Sequence, residues 1–140
     1  MTDEGLVDTN ILIYSIDKDE GRKHKIAADF LEKATVEKKF FLSVQNLAEF
    51  HYNVTKKIPK PVPKEYSQEL IRELFANFHL LRYDENTILN AINLEVLYKI
   101  HFWDALLAAT MQENNLKTIY TENTSDFKKV PWLSVVNPLK

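Results

Sequence analysis

Apolar and polar positions along the chain change period repeatedly. Leu6-Val7 is a short apolar segment that reads as the end of a buried strand, and Asp8-Thr9-Asn10 leads into the apolar run Ile11-Leu12-Ile13-Tyr14. Asp, Thr and Asn favour helix starts because their side-chain oxygens accept from free N–H groups of the first turn, so strand, cap and helix are expected in that order. After the polar loop Lys18–Gly21, Ile26, Ala27, Phe30, Leu31 and Ala34 fall on one face of a helix. Phe40-Phe41-Leu42 favours a strand, ended by Ser43 as the candidate N-cap of a helix whose apolar positions are Val44, Leu47, Ala48, His51 and Val54.

Three prolines within 56–64 exclude a helix interior or central strand and predict a basic, extended loop. Tyr66, Leu70, Leu74 and Phe78 define the next helix, and Leu80–Tyr83 a short strand. Asp84 is expected to cap a helix with Ile88, Ala91, Ile92 and Val96 on its inner face. A further helix is expected from about Trp103 to Glu113, then a strand over Lys117–Tyr120, a polar stretch over 121–126, a break at Val130-Pro131-Trp132, and a last strand over Leu133–Val136. Short apolar strands alternating with helices predict an α/β chain with a mainly parallel sheet. No repeat or linker divides it, and a single domain over residues 1–140 is expected.

Composition narrows the function. Apolar residues make up 45% and charged residues 27%, ordinary values for a globular chain. The formal net charge of −2 means that a polyanion partner would need a local basic patch or a metal. The absence of cysteine excludes disulfides and thiolate metal sites. The two glycines, Gly5 and Gly21, form no phosphate-cradling pattern. No apolar run approaches a membrane span, and the opening Met1-Thr2-Asp3-Glu4-Gly5 lacks the basic and apolar regions of a signal peptide. A cytoplasmic location is expected.

Ligands of parallel sheets collect at the carboxyl ends of the strands. Asp8 follows the first strand, Glu49 lies two turns into the helix after the second, Glu122 and Asp126 follow the strand at 117–120, and Asp104 begins an apolar helix. Singly, each has an ordinary role: Asp8 and Asp104 as caps, Glu49 on a solvated face, Asp126 in a surface loop. Yet the neighbours of Glu49 at three and four residues' spacing, Gln45, Asn46, Tyr52 and Asn53, offer no cation. Carboxylates gathered on one rim would repel one another, and a hard divalent cation relieves that repulsion.

Val7-Asp8-Thr9-Asn10-Ile11-Leu12, Asn46-Leu47-Ala48-Glu49-Phe50, the run Phe102–Ala109, and Tyr120-Thr121-Glu122-Asn123 through Asp126-Phe127 resemble, in order, the motifs of the PIN domain, most nearly the VapC-type toxin ribonucleases. The resemblance runs from Leu6 to Pro138. It implies a three-layer α/β/α sandwich and endoribonuclease activity dependent on Mg²⁺ or Mn²⁺. Carried over residue by residue, Asp8 and Asp104 are the leading metal ligands and Glu49 completes the site or orients water. The fourth acid is where the sequence departs: many relatives have an acid where Asn123 stands, others just before the phenylalanine, matching Asp126. Asp126 is the reading adopted, with Glu122 as the alternative neighbour. Thr9, Asn10, Ser43 and Thr121 are candidates for holding the site or its water, with helix capping the simpler role for Thr9.

The resemblance also implies a homodimer and a cognate antitoxin laid over the groove. The chain itself offers Lys56, Lys57, Lys60 and Lys64 for RNA phosphates. Tyr52 and His51 are placed to stack on a base, although His51 fits the apolar face of its helix and Trp103 is expected in the core. Other families fit the chain less well. Arg72 and His79 loosely resemble the motif of HEPN ribonucleases, an all-helical fold that the strands contradict; a receiver domain would want paired acids where Asp8 is followed by Thr9-Asn10. A PIN nuclease of RNA processing, or a degenerate binding module, is the remaining alternative.

Overall fold

The computed structural model describes residues 3–140; Met1 and Thr2, part of the segment examined for a signal peptide, lie outside the described residues. Its strands are β1 (Gly5–Val7), β2 (Phe40–Ser43), β3 (His79–Leu81), β4 (Thr118–Tyr120) and β5 (Ser134–Val136). They form one sheet in the order β3-β2-β1-β4-β5, with every neighbouring pair parallel. The helices are α1 (Thr9–Tyr14), α2 (Arg22–Glu37), α3 (Val44–Lys56), α4 (Lys64–Asn77), α5 (Glu85–Tyr98), α6 (Phe102–Glu113) and α7 (Thr124–Phe127), with a 3-10 turn at Lys18–Glu20.

Alternation along the strands decides the layers. Val7, Phe40, Leu42 and Tyr120 pack with Ile11, Leu12, Ala27, Phe50 and Val54 from α1, α2 and α3. Leu6, Ile119 and partly buried Phe41 face the other way, onto Leu107 and Met111 of α6 and Phe127 of α7. Ala91 and Leu94 of α5 seal the outer side of α6. The three-layer sandwich with a parallel sheet is therefore as the sequence predicts. Among the described residues, no helix is long and apolar enough to cross a membrane.

Local chemistry sets the boundaries. Ser43 caps α3 through the Gln45 N–H at 2.9 Å, and Asn46 Oδ1 accepts from the Ser43 N–H at 2.8 Å, a reciprocal capping box. Asp84 and Thr87 do the same for α5. β1 and β4 approach so closely at Gly5 that a Cβ there would lie 2.6 Å from the Thr118 carbonyl oxygen.

Two helix faces differ from expectation. α5 buries Thr87, Ala91 and Leu94, while Ile88, Leu89, Ile92, Val96 and Leu97 are exposed, Val96 by 73%. Apolar residues lie all round α5, so periodicity does not mark its inner side. α3 buries Gln45 and Asn46 along with Phe50 and Val54, and leaves Ala48 exposed. Burial of two amides breaks the rule that apolar positions mark the inner face, and the reason lies in the site.

Candidate active site

β1 is central, flanked by β2 and β4. The chain leaves β1 toward β2 and β3 and returns to the other side for β4 and β5, so a crevice opens at the carboxyl ends of β1 and β4, where the strand order reverses. Asp8 stands at the end of β1 and is 9% exposed. Its Oδ1 accepts from the Thr9 N–H at 2.7 Å, capping α1, and its Oδ2 accepts from the Thr121 hydroxyl, just beyond β4, at 2.7 Å.

Thr9 does more than cap. Its hydroxyl donates to Glu49 Oε1 at 2.7 Å and accepts from Asn46 Nδ2 at 2.9 Å. Gln45 Nε2 donates to Glu49 Oε2 at 3.2 Å and to the Trp103 carbonyl at 2.9 Å. The buried amides of α3 thus hold one carboxylate of the site from both sides. Asn10 Nδ2 donates to Thr121 Oγ1 at 3.2 Å, and its Oδ1 accepts from the Glu122 N–H at 3.3 Å, fixing the turn after β4.

Asp104 sits in the first turn of α6, where the helix dipole favours a carboxylate. The cap position is His101, which makes no side-chain cap bond. Asp126, in α7, is 7% exposed. Its Oδ2 accepts from the His101 N–H at 3.1 Å and pairs with His101 Nδ1 at 2.8 Å, while Lys129 Nζ lies 3.5 Å from Oδ1. One ligand atom each from His101, Asp104 and Asp126 lie within 4.8 Å of one another.

The electrostatics follow from that crowding. Burial, with the charge of Glu49 adding to it, pushes Asp8 up to about 6 despite its two hydrogen bonds. Asp104 is pushed up to about 7 by burial, by its hydrogen bond to Asp126, and by the charges of Asp8 and Asp126. Asp126 goes the other way: burial opposes its ionisation, but the backbone and imidazole of His101 and its bond with Asp104 outweigh it. Asp104 and Asp126 therefore shift in opposite directions, Asp104 toward its neutral form and Asp126 toward its charged form. Among the described residues, no ion pair neutralises Asp8, Glu49 or Asp104.

The structure brings Asp8, Glu49, Asp104 and Asp126 to one rim. Glu122 is turned away: it accepts from the Tyr14 hydroxyl and pairs with Lys23 Nζ at 2.6 Å. Asn123 is exposed and its N–H donates to Thr121 Oγ1 at 3.0 Å. His101 and Gln45 are the residues that sequence reasoning missed. The His101–Asp104 spacing of three was a usable signal; Gln45 was visible only as a polar residue one turn before Glu49. Trp103 is a correction, being 60% exposed on the rim instead of in the core. His51 packs as expected, its Nδ1 2.8 Å from Ser67 Oγ on α4.

The donor set suits a hard divalent cation. It is oxygen-rich, and its carboxylates raise one another's pKa, a repulsion that a hard divalent cation would relieve.

A profile of the PIN domain family matches residues 5–133. Among solved structures, the chain is similar to a toxin–antitoxin complex from Klebsiella pneumoniae, at 27% identity over 96% of this chain and 97% of that one, with a TM-score of 0.67. It is also similar to VapBC2 from Rickettsia felis bound to a promoter DNA fragment, at 23% identity over 94% and 96% with a TM-score of 0.67. VapC20 from Mycobacterium tuberculosis, a toxin that cleaves the sarcin-ricin loop, matches at 14% identity over 89% and 94% with a TM-score of 0.69. The last two likenesses concern the fold alone. A comparison with curated protein sequences finds no match.

Proposed function

We propose that this chain, which belongs to the PIN domain family, is a single-domain, divalent-metal-dependent endoribonuclease and the toxin of a toxin–antitoxin pair. The observation that supports the reading is the crowding of acids at the switch point of a parallel sheet: Asp104 and Asp126 cluster with His101, and Asp8 feels the charge of Glu49 and adds its own to Asp104, with no ion pair to Asp8, Glu49 or Asp104 among the described residues. The toxin role is supported by the Klebsiella pneumoniae toxin–antitoxin complex, which the chain matches along almost its whole length. A cognate antitoxin is the partner this implies. A second copy of the chain is the other, and the exposed apolar residues of α5 give that association a surface.

Asp8, Asp104, Asp126 and Glu49 would hold Mg²⁺ or Mn²⁺. When bound, the ion supplies an activated water and positive charge beside the scissile phosphate. The chain's own contribution is placement. Thr9 and Thr121 fix the two oxygens of Asp8, the first through its N–H and the second through its hydroxyl. Thr9 and Gln45 orient the two oxygens of Glu49. His101 keeps Asp126 ionised through its N–H and imidazole. The proton on Asp104 leaves when the cation enters, so metal affinity rises with pH through about 7.

The test is cleavage of structured and unstructured RNA in Mg²⁺, Mn²⁺ or EDTA by the wild type and by Asp8→Asn. Cleavage is expected with metal and lost in EDTA or in the variant. Cleavage that survives both would sink the metal-nuclease reading. No cleavage of any RNA, with an antitoxin still bound, would make the chain a binding module.

A further inference from the structure

Beside the carboxylates lies a recess of about 550 Å³, lined by Gln45, Ala48, Glu49, Tyr52, Tyr83 and Trp103 among others. Its size is within the roughly 300–1,000 Å³ usual for small-molecule sites. Three aromatic side chains from three elements meet there: Tyr52 from α3, Tyr83 from the turn before α5, and Trp103 from the first turn of α6. Tyr52 is 50% exposed and Trp103 60%. Large aromatic rings are normally spent on burial; Tyr83 packs partly against the α5–α6 core, whereas Tyr52 and Trp103 are left open on the rim.

The recess is joined to the acidic rim through covalent and hydrogen-bonded neighbours. Glu49 belongs to both. Trp103 immediately precedes Asp104, and its carbonyl is held by the same Gln45 Nε2 that holds Glu49. Phe102 meets the indole edge-to-face, with ring centroids 5.1 Å apart, and steadies it. Gln45 is almost wholly buried, and its Oε1 has no hydrogen-bond partner among the described residues. Gln45 thus ties the wall of the recess to the acidic rim through its Nε2.

Charge selects the occupant. The ammonium groups of Lys56 and Lys57 lie over the Tyr52 ring, 5.3 and 5.6 Å from its centroid, and would swing from the ring to a phosphate when a base stacks on it. Aromatic faces for a planar group, cations for a phosphate and a cation site within one residue form the combination that binds single-stranded nucleic acid. A basic peptide would be repelled by the lysines.

We propose that this recess is a stacking subsite for one unpaired base of the RNA, next to the scissile phosphate, with Lys56 and Lys57 on the adjoining phosphate. A paired base would enter only at the cost of unstacking and unpairing, so an unpaired base binds the recess more tightly. The inference rests on the ribonuclease reading above, and its test separates the two.

Binding is measured in EDTA, where no cleavage is needed. In a Trp132→Phe background Trp103 is the one tryptophan left of two, and its emission reports on the recess. Oligoadenylate and oligouridylate hexamers should quench it. The same hexamers carrying abasic nucleotides, and an RNA duplex, should not. In Mg²⁺ or Mn²⁺, Trp103→Ala and Tyr52→Ala should each lower kcat/KM on a single-stranded RNA about 5- to 100-fold, mainly through KM, the range expected for one stacked base; Trp103→Phe should recover most of it. Equal quenching by abasic or duplex RNA would overturn the subsite. So would unchanged kcat/KM in Trp103→Ala, or a loss of antitoxin binding in that variant with hexamer affinity intact, which would make the recess a protein-docking groove. If wild type cuts no RNA at all, the nuclease reading fails, and the EDTA titration still decides whether bases stack.

Discussion

Replacing Asp8 by Asn should abolish cleavage and at the same time stabilise the metal-free protein. In the wild type, burial and Glu49 hold Asp8 at about 6 against an ordinary 3.8. That gap is worth about 3 kcal/mol at roughly 1.4 kcal/mol per pH unit. The folded state binds the proton more tightly than the unfolded chain, so stability is full below 3.8 and is lost as pH rises through about 6. Asn carries no charge to bury. It keeps a single acceptor, however, so either the Thr9 N–H or the Thr121 hydroxyl loses its partner, at a cost of about 1 kcal/mol. The net expectation in EDTA at pH 8 is Asp8→Asn more stable by about 2 kcal/mol, shrinking to about 0.5 kcal/mol at pH 5. Asp104, with its value near 7, and His101, raised by its bond to Asp126, move wild-type stability in the same direction, downward between pH 5 and 8. The lowered values of Asp126 and Glu122 act only in acid, below that window. Urea unfolding at pH 5 and pH 8 measures this. Added Mg²⁺ or Mn²⁺ at about a hundred times its Kd should then restore about 2.7 kcal/mol to the wild type and little to the variant. A wild type that gains stability from pH 5 to 8 in EDTA, or a variant less stable at pH 8, would refute the argument that repulsion is stored at this rim.

Asp126→Asn should reduce cleavage at least a hundredfold, whereas Glu122→Gln, facing Tyr14 and Lys23, should leave it within about threefold; single-turnover rates compare them. Thr9→Val removes the hydroxyl between Asn46 and Glu49 and should cost about 1–3 kcal/mol in urea unfolding, with a fall in kcat larger than any change in KM. Gly5→Ala drives a methyl into the Thr118 carbonyl and should lower stability by about 1–3 kcal/mol, read as a drop in Tm. Val96→Glu on the exposed face of α5 should leave monomer unfolding unchanged and shift sedimentation toward monomer; an unchanged dimer would place the interface elsewhere.

The layers and most element positions were legible because short apolar strands and one-sided helices have different periods. α5 was misread because it is apolar nearly all round, so its inner side is decided by what α6 presents, which no local pattern contains. α3 was misread for the opposite reason: Gln45 and Asn46 are buried for the hydrogen bonds they make to Glu49 and Thr9, and a hydropathy pattern treats every amide as exposed. For the acids, sequence supplied residue types and order, while convergence depends on β1 pairing with β4. Glu122 is held by Tyr14 and Lys23, residues about a hundred positions away, while Asp126 lies beside Asp104, a difference that no local pattern contains. Trp103 was assigned to the core on its hydrophobicity; its place beside Asp104 on the first turn of α6 puts it on the rim.

The bond between Asp8 and Thr121 spans 113 residues, and its consequence concerns the cell that makes the protein. β1 emerges early in synthesis, but the hydroxyl that fixes Asp8, the strand that completes its crevice and the carboxylate of Asp126 emerge near the end. Loops that long close late in folding. A nascent chain stopped anywhere before β4 has a buried-to-be aspartate and no site around it. A fragment that stops before β4 lacks the Thr121 hydroxyl and the Asp126 carboxylate, so on the proposed reading it would not cleave RNA.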